Sequence, residues 1–182
     1  LTAMAAYYFK NQGVEVAIFE TGLGGKFDSV TACNAKLQLF TKISMDHSHI
    51  LGDSIDKIAT DKSCAIHSNS ICYSVQQDDN VNQILIDKAK EKSAEINFTL
   101  ENYNDNIVPS LFGNHQIENT RLAITAAKHF INLSENNISK SISNVHWPGR
   151  VELLQQNPSV YFDVAHNDDS IQAFCEAIES LN

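Results

Sequence analysis

The chain has 182 residues, of which 43% are hydrophobic, and its formal net charge is −9. This length suffices for one domain, or for one domain and part of a second. Because it has no Lys/Arg cluster to follow a phosphate backbone and no apolar run near the roughly 18–20 residues of a membrane span, we expect neither nucleic acid nor membrane partners. The four cysteines form no CxxC pair, which is typical of free thiols in a cytoplasmic protein.

Helix-like and strand-like segments alternate along the chain, which predicts an α/β fold with a mostly parallel sheet. In chain order, the predicted elements are helix Leu1–Lys10, strands Val14–Phe19 and Leu37–Ile43, helix Ser54–Ile66, strand Ser70–Val75, helix Asp79–Lys92, strand Ile96–Leu100, loop Asn102–Pro109, helices Asn114–Ile131 and Ser134–Asn144, strand Val160–Phe162 and helix Asp168–Leu181. The rigid Trp147-Pro148-Gly149-Arg150 break predicts a domain boundary near residue 148. The first helix lacks a beginning and the last lacks a successor, so we expect an internal piece of a longer protein.

Three polar blocks each follow a predicted strand: Glu20-Thr21-Gly22-Leu23-Gly24-Gly25, Asp46-His47 and Asp163-Val164-Ala165-His166-Asn167. Ligands of open parallel sheets bind at the carboxyl ends of strands. Glycines allow a sharp turn and close approach to a ligand, and the Glu20 carboxylate is a hard oxygen ligand suited to Mg²⁺. His47 can complete a metal shell or orient a phosphate. A solvated turn and a purely structural histidine are the alternatives.

Lys62 falls on the apolar stripe of its own predicted helix, in register with Ile55, Ile58 and Ile66. A buried ammonium is costly unless it is paired or modified. A desolvated lysine is nucleophilic toward electrophiles such as CO₂, and the resulting carbamate would be an anionic oxygen ligand. The alternative is that the side chain extends past the helix end to reach water.

Further candidates lie in the second half of the chain. Gln116 and Asn119 share a face near the start of the long helix, where free backbone N–H groups favour anions; ordinary N-capping by Asn114 is the alternative. Arg150, at the predicted domain junction, is placed to reach phosphates across a cleft. A carboxylate that ends a strand, as Asp163 does, commonly binds ribose hydroxyls.

Six blocks in this order resemble the motifs of folylpolyglutamate synthases and dihydrofolate synthases, in the Mur ligase superfamily. The blocks are Glu20–Ser29 (ETGLGGKFDS), Asp46–Gly52 (DHSHILG), Ile58–Ala65 (IATDKSCA), Gly113–Asn119 (GNHQIEN), Trp147–Glu152 (WPGRVE) and Asp163–Asn167 (DVAHN). The chain departs from the family pattern at several positions, with Lys26 for Arg, Asp61 for Glu and Val164 for Gly. It contains no GxxGKG[ST] phosphate-binding loop.

The resemblance implies a Mur-ligase-type P-loop ATPase domain with a mostly parallel sheet over residues 1–147, and the start of a Rossmann-like C-terminal glutamate-ligase domain over residues 148–182. It implies an ATP-dependent amide ligase that adds L-glutamate to dihydropteroate, to folate poly-γ-glutamate, or to both, through an acyl phosphate. The partners are then small-molecule substrates of a cytoplasmic monomer. Two alternatives stay open: another Mur-type peptide ligase, and a non-catalytic remnant that binds nucleotide.

The resemblance also assigns roles to residues at matching positions. Glu20 and His47 would be Mg²⁺ ligands, with His47 also catalytic, and Lys62 would be the catalytic carbamylated lysine. The pterin-site positions are Phe27, Asp28 and Ser29. The ATP-binding positions are Asn119, Arg150, Asp163 and His166, of which His166 would lie beside the phosphates.

Overall fold

The structure, a computed structural model, describes residues 1–99 and 108–181. Its helices are α1 (Thr2–Gln12), α2 (Ser48–Leu51), α3 (Ile55–Ser63), α4 (Asp79–Glu91), α5 (Asn114–Phe130), α6 (Glu135–Ser143) and α7 (Asp168–Glu179). Its strands are β1 (Leu37–Phe40), β2 (Ile71–Ser74), β3 (Glu95–Phe98), β4 (Glu152–Gln156) and β5 (Ser159–Phe162). The α/β fold class predicted from the sequence is confirmed. The predicted loop Asn102–Pro109 lies mostly outside the described residues, as does the end of the predicted strand Ile96–Leu100.

Strands β1, β2 and β3 form a parallel sheet with β2 in the middle. Backbone bonds continue the pairing at the strand ends, with Ile71 N donating to Lys36 O at 2.9 Å and Val75 N donating to Phe40 O at 3.0 Å. Strands β4 and β5 form a separate antiparallel hairpin in which Glu152 faces Phe162 and Gln156 faces Ser159. Helical crossovers therefore build the first sheet, as the alternating pattern predicts.

The chain divides into two compact units. The first comprises Leu1–Gln38, His47–Cys72 and Asp78–Ile96, and the second comprises Leu39–Asp46, Tyr73–Gln77 and Asn97–Asn182. In the first unit, the apolar stripe Val81, Leu85 and Ala89 of α4 is buried, as are Ile58 and Ala59 of α3. The buried apolar residues of the second unit are Phe40, Ile43, Val75, Leu122, Ile124, Ala126, Val151 and Ala177.

Polar caps fix where two of the site-bearing helices begin. Ser54 accepts a hydrogen bond from Lys57 N at the start of α3. At the start of α7, Asn167 Oδ1 accepts from Ser170 N at 2.9 Å while Ser170 Oγ accepts from Asn167 N at 3.0 Å. This reciprocal capping box satisfies N–H groups that would otherwise lack partners.

The predicted strand Val14–Phe19 is wrong. The segment has no regular secondary structure, and Val14, Val16 and Ile18 are 45%, 47% and 88% exposed. β-branched residues favour a strand only where a neighbouring strand pairs with them. Neither sheet in the described part of the chain supplies that neighbour.

Two other predicted elements change in detail. The strand predicted over Leu37–Ile43 ends at Phe40, because the Gln77 side chain replaces a neighbouring strand beyond it: Ile43 N donates to Gln77 Oε1 and Gln77 Nε2 donates to Thr41 O, each at 2.9 Å. On α5 the buried positions are Gln116, Leu122, Ile124 and Ala126. Ile131, the last residue of the predicted helix, lies just after the end of α5 and is 56% exposed.

Candidate functional site

In the first unit, the glycine block lies directly against the two helices that follow it. A Cβ atom on Gly25 would lie 2.7 Å from the carbonyl oxygens of Asp61 and Lys62, and one on Gly24 would lie 2.8 Å from Leu51 Cδ2. Gly24 also has φ +67°, which other residues rarely adopt. The glycines therefore let this loop contact both the end of α2 and the last turn of α3, which carries Lys62.

The Asp61 carboxylate holds this contact. Its Oδ1 accepts hydrogen bonds from Gly25 N at 2.8 Å and Lys26 N at 3.3 Å. Asp53, Lys57 and Asp61 are spaced four residues apart, so that Lys57 can pair with either aspartate, and in the structure Lys57 Nζ lies 2.8 Å from Asp53 Oδ1.

Asp28 organises the rest of the same loop. Its Oδ2 accepts from Gly22 N at 2.9 Å and Leu23 N at 3.0 Å, and its Oδ1 accepts from Val30 N at 2.8 Å. Burial acts to raise the pKa of Asp28, but the three backbone donors outweigh it and hold the pKa below its ordinary value. This predicted pterin-site residue thus holds its own loop together.

The neighbours of Asp28 are more accessible. The Phe27 ring is 88% exposed, with the Lys26 ammonium 5.0 Å from its centroid. Ser29 Oγ lies 2.7 Å from Thr2 Oγ1 at the start of α1. Of the three predicted pterin-site residues, Phe27 therefore presents the largest surface free for a planar ligand.

Glu20 is exposed, and its carboxylate has no hydrogen-bond or ion-pair partner within the described residues. It lies at the edge of an open cavity of 540 Å³, lined mainly by apolar side chains of α1, Phe19 and Val30. Its oxygens are therefore accessible to a ligand.

His47 precedes α2 in a left-handed conformation, with φ +49°. Its exposed ring lies 6.3 Å from the His49 ring, centroid to centroid, in an edge-on arrangement. Non-glycine residues adopt positive φ infrequently, and such strain concentrates at functional positions. Since α2 also contacts Gly24 through Leu51, the segment that begins at His47 meets the glycine block.

Lys62 is half-buried rather than buried. The fully buried stripe of α3 and its continuation consists of Ile58, Ala59, Ser63 and Ile66, so the stripe passes beside Lys62. Its ammonium forms no ion pair or hydrogen bond within the described part of the chain. The Lys62 side chain is thus partly desolvated, and its amine is available to a ligand or a modifying group.

In the second unit, the turn that carries Arg150 is fastened to the block Asp163–Asn167. Val164 N donates to Gly149 O at 3.0 Å, and Val151 N donates to Asp163 Oδ2 at 2.8 Å, so the exposed Arg150 lies between two anchored residues. Gly149 has φ +75°, and a Cβ there would lie 2.8 Å from Val164 Cγ1. Asp163 Oδ1 also accepts from Ala165 N at 2.7 Å.

Both ring nitrogens of His166 have partners. Nδ1 lies 2.9 Å from Val164 O and Nε2 lies 3.5 Å from Asp46 Oδ2. A carbonyl only accepts, so Nδ1 carries the proton, and Nε2 carries a second proton only in the cationic ring.

The start of α5 contributes His115 and the half-buried Asn119. Burial lowers the pKa of His115; the Arg150 guanidinium acts in the same direction, while the carboxylates of Asp163, Glu118 and Glu176 oppose it. His115 is therefore electrostatically linked to two predicted ATP-binding residues, Arg150 and Asp163.

Three residues outside the predicted site, Asp46, Asp61 and His115, contact or influence its members. Each of them lies in one of the six motif blocks, and this membership is the sequence signal that could have indicated them. Their partners are distant in sequence.

Within residues 1–99 and 108–181, no group of three His, Cys, Asp or Glu side chains is arranged to hold a metal ion. No helix in the same residues is long and apolar enough to cross a membrane. The four cysteines are unpaired, as expected.

No protein-family model matches the chain. It is 30% identical over 207 aligned positions to the dihydrofolate synthase/folylpolyglutamate synthase of Bacillus subtilis (strain 168), covering 98% of this chain and 48% of that protein. The fold matches Mycobacterium tuberculosis folylpolyglutamate synthase complexed with ADP and AMPPCP, with a TM-score of 0.88, 26% identity, and coverage of 98% of this chain and 47% of that one.

E. coli FolC in complex with DHPP and ADP matches with a TM-score of 0.86 and 25% identity, over 100% of this chain and 47% of that one. The chain thus spans about half the length of the proteins it matches. Along its whole length the chain is similar in sequence to folylpolyglutamate synthases and dihydrofolate synthases, and it has their Mur ligase fold.

Proposed function

We propose that this chain forms part of an ATP-dependent amide ligase that joins L-glutamate to dihydropteroate, to folate poly-γ-glutamate, or to both. The observation that carries the proposal is the convergence of three motif blocks in the first unit. The loop that follows Glu20, the α2 helix that begins after His47 and the last turn of α3, with Lys62, are in direct contact through Gly24 and Gly25. The similarity to these synthases suggests the reaction class.

The proposed reaction has two steps. A substrate carboxylate attacks the γ-phosphorus of ATP, so that an acyl phosphate forms and ADP leaves. The glutamate amine then attacks the acyl carbon, which forms the amide and releases phosphate. Negative charge builds on phosphoryl oxygens in both steps, and catalysis requires its neutralisation. The nucleotides named in the two solved relatives, ADP and AMPPCP, support ATP as the phosphoryl donor.

The residues present fit Mg²⁺ with few protein ligands. Mg²⁺ is commonly held by one or two carboxylates together with waters and substrate phosphates, rather than by an all-protein cage. An accessible, unpaired carboxylate at Glu20 suits that arrangement, and it does not require three clustered protein ligands. We propose Glu20 and His47 as its ligands; when bound, Mg²⁺ would supply positive charge at the phosphoryl oxygens.

We propose that Lys62 carries a carbamate. A half-buried amine that is not engaged in an ion pair is available to react with CO₂. The modification would convert a cation on the last turn of α3 into an oxygen ligand next to the glycine block. His47 would serve the same phosphoryl site as a catalytic residue.

In the second unit, we propose that Asn119, Arg150, Asp163 and His166 bind ATP. The turn that carries Arg150 and the block Asp163–Asn167 are bonded to each other, so this part of the second unit offers a guanidinium, a carboxylate and an imidazole. A guanidinium and an imidazole N–H can both donate to phosphate oxygens, and the remaining lone pairs of Asp163 suit ribose hydroxyls. The exposed Phe27 ring, with Asp28 and Ser29, is proposed to line the pterin site.

Glutamate-dependent ADP release by the whole protein, at the length of its relatives, tests the proposal. We expect Glu20→Gln to lower turnover about 10²-fold, because an anionic group at the phosphoryl site is lost. Glu15→Gln, in the neighbouring exposed segment, is the matched control and should leave turnover unchanged. ADP release that does not depend on glutamate, or full turnover in Glu20→Gln, would contradict the proposal. The boundary near residue 148, the monomeric state and the cytoplasmic location remain predictions from the sequence.

A further inference from the structure

The position of Asp61 in α3 does not favour the stability of that helix. Asp61 lies in the last turn of α3, where the helix dipole disfavours a negative charge. Lys57, four residues earlier on the same helix, forms an ion pair with Asp53. Within the described residues the Asp61 side chain has no cationic partner, and its hydrogen bonds come from the backbone N–H groups of Gly25 and Lys26. Its carboxylate thus serves the glycine block, 36 residues away in sequence.

The contact that Asp61 maintains is unusually close. A Cβ on Gly25 would lie 3.0 Å from Lys62 Cα, so the loop lies on the backbone of Lys62 itself. A Cβ on Gly24 would overlap Asp61 Oδ1. Small displacements of this loop would therefore move Glu20 and Phe27, which flank the glycines, relative to Lys62.

We propose that Asp61 is a positioning residue, which fixes the glycine block against the last turn of α3 and thereby sets the distance between the Glu20 loop and Lys62. The carboxylate acts through two charge-assisted bonds to backbone donors, which are stronger than neutral ones. The catalytic consequence of this role rests on the proposed function, whereas the clamp itself does not.

Amide hydrogen exchange of this chain tests the clamp without any activity. In Asp61→Ala, we expect the amides of Gly25 and Lys26 to exchange about 10-fold faster or more, because a bond to a charged acceptor is lost. The Leu23 amide, which Asp28 holds, is the internal reference and should change less. Asp56→Asn removes a negative charge from an exposed position on the same helix and should leave both amides unchanged.

Asp61→Asn keeps an acceptor oxygen but loses the charge, so a smaller acceleration is expected there. If far-UV circular dichroism shows that Asp61→Ala is unfolded, the exchange rates of Asp61→Asn test the clamp in its place. Wild-type exchange rates at Gly25 and Lys26 in folded Asp61→Ala, or in Asp61→Asn where Asp61→Ala does not fold, would overturn the clamp.

In the whole protein, a misplaced loop should lower kcat of glutamate-dependent ADP release about 10-fold in Asp61→Ala while KM for ATP stays within about 2-fold, because positioning acts at the transition state. Asp61→Asn should recover part of kcat. Unchanged kcat together with faster exchange would overturn the positioning role. If the wild-type protein showed no glutamate-dependent ADP release, the proposed function would fail, and the exchange rates alone would still decide whether Asp61 is the clamp.

Discussion

Three aspartates, Asp28, Asp61 and Asp163, each accept backbone N–H bonds that hold a candidate loop in place. Each carboxylate accepts at least two such bonds. A carboxylate whose oxygens accept hydrogen bonds from the loop backbone has fewer lone pairs available to a ligand. At these positions the same residue can therefore be both a family-motif residue and a structural anchor.

Lys62 offers the sharpest test of the proposed chemistry at the residue scale. In the whole protein, Lys62→Ala should lose turnover, and a short-chain carboxylate in solution should restore part of it, because the added anion can fill the vacated ligand position. Lys62→Arg should not respond, since its bulk and positive charge occupy that space. Turnover is measured as glutamate-dependent ADP release with and without the added carboxylate.

The wild-type protein provides an independent control for this prediction. Carbamate formation consumes the free amine and CO₂, so wild-type turnover should rise with added bicarbonate at slightly alkaline pH, whereas turnover of Lys62→Ala should not. Equal responses of the two proteins to bicarbonate would contradict a carbamate on Lys62.

His115 predicts a pH dependence of stability. Burial lowers its pKa in the folded state from the ordinary value of 6.5, so below that pH the unfolded chain binds more protons. The stabilising contribution of neutral His115 is therefore present above pH 6.5 and is lost as the pH falls. We expect His115→Gln to reduce the loss of unfolding free energy between pH 7.5 and 5.5, measured by urea unfolding of this chain.

The charged groups around His115 set the size of this effect, since Asp163, Glu118 and Glu176 oppose the lowering of its pKa and Arg150 favours it. His129→Gln, at an exposed position near the other end of α5, is the control and should keep the wild-type pH dependence. An identical pH dependence in wild type and His115→Gln would show that burial of this ring is not linked to folding.

At the scale of elements, the Gln77 side chain ends strand β1 and holds the segment that leads to Asp46. It is 5% exposed and bonds Ile43 N, Thr41 O and Ser74 Oγ. We expect Gln77→Ala to lower the free energy of unfolding by about 1–3 kcal/mol, because the buried Ile43 N–H loses its acceptor. Denaturant unfolding measures this change.

Gln83→Ala, on the exposed face of α4, is the matched control. Its amide donates to the exposed Asp87, one turn away, at 2.9 Å, so the expected change is below about 0.5 kcal/mol. Equal effects of the two substitutions would mean that the buried amide bonds of Gln77 contribute little to stability.

Helices were predicted better than strands, for a physical reason. The helical period and the caps at Ser54 and Asn167 are local, so the sequence encodes the starts of α3 and α7 directly. Strand length depends on partners elsewhere in the chain. The strand predicted over Leu37–Ile43 ends at Phe40 because the Gln77 side chain bonds the backbone beyond it. Val14–Phe19 has no pairing strand among residues 1–99 and 108–181.

The candidate site shows the same difference between local features, which the sequence indicates, and long-range contacts, which it does not. The motif blocks contain all the candidate site residues. The contact between the Arg150 turn and Asp163 joins residues that are close in the chain. The contacts of Asp61 with Gly25, and of Asp46 with His166, join residues far apart in sequence and of ordinary type. No spacing rule within one sequence indicates such pairs, so only the fold reveals them.

At the scale of the whole molecule, the candidate residues are shared between the two compact units. The first holds Glu20, Phe27, Asp28, Ser29, His47 and Lys62, and the second holds Asn119, Arg150, Asp163 and His166. The proposed metal and pterin residues are thus in one unit and the proposed nucleotide residues in the other. A ligase of the proposed kind would need both units in one molecule.

The first unit also carries a large uncovered apolar surface, to which Met4, Tyr7 and Tyr8 of α1 and Ile18 contribute exposures of 66%, 69%, 59% and 88%. Surfaces of this kind attract other apolar surfaces. We expect this chain, taken alone, to self-associate as its concentration rises, measured by sedimentation velocity. Ile18→Lys should weaken the association, whereas Val108→Lys, at an apolar position in the second unit that is 73% exposed, should not. Equal sedimentation of all three proteins would contradict this expectation.

The unpaired run Val14–Phe19 has a consequence for the handling of the chain in solution. The Val14 N–H donates to Phe9 O, but the exposed β-branched side chains of Val14, Val16 and Ile18 and the backbone beyond Val14 N are available to the same run in a second molecule. Glu15 is the single charge in this run. Colloidal stability should therefore be lowest near the sequence pI of about 5.1, where the net charge of the chain vanishes, and in concentrated stocks. Purification at neutral or mildly alkaline pH and modest concentration would keep the chain dispersed.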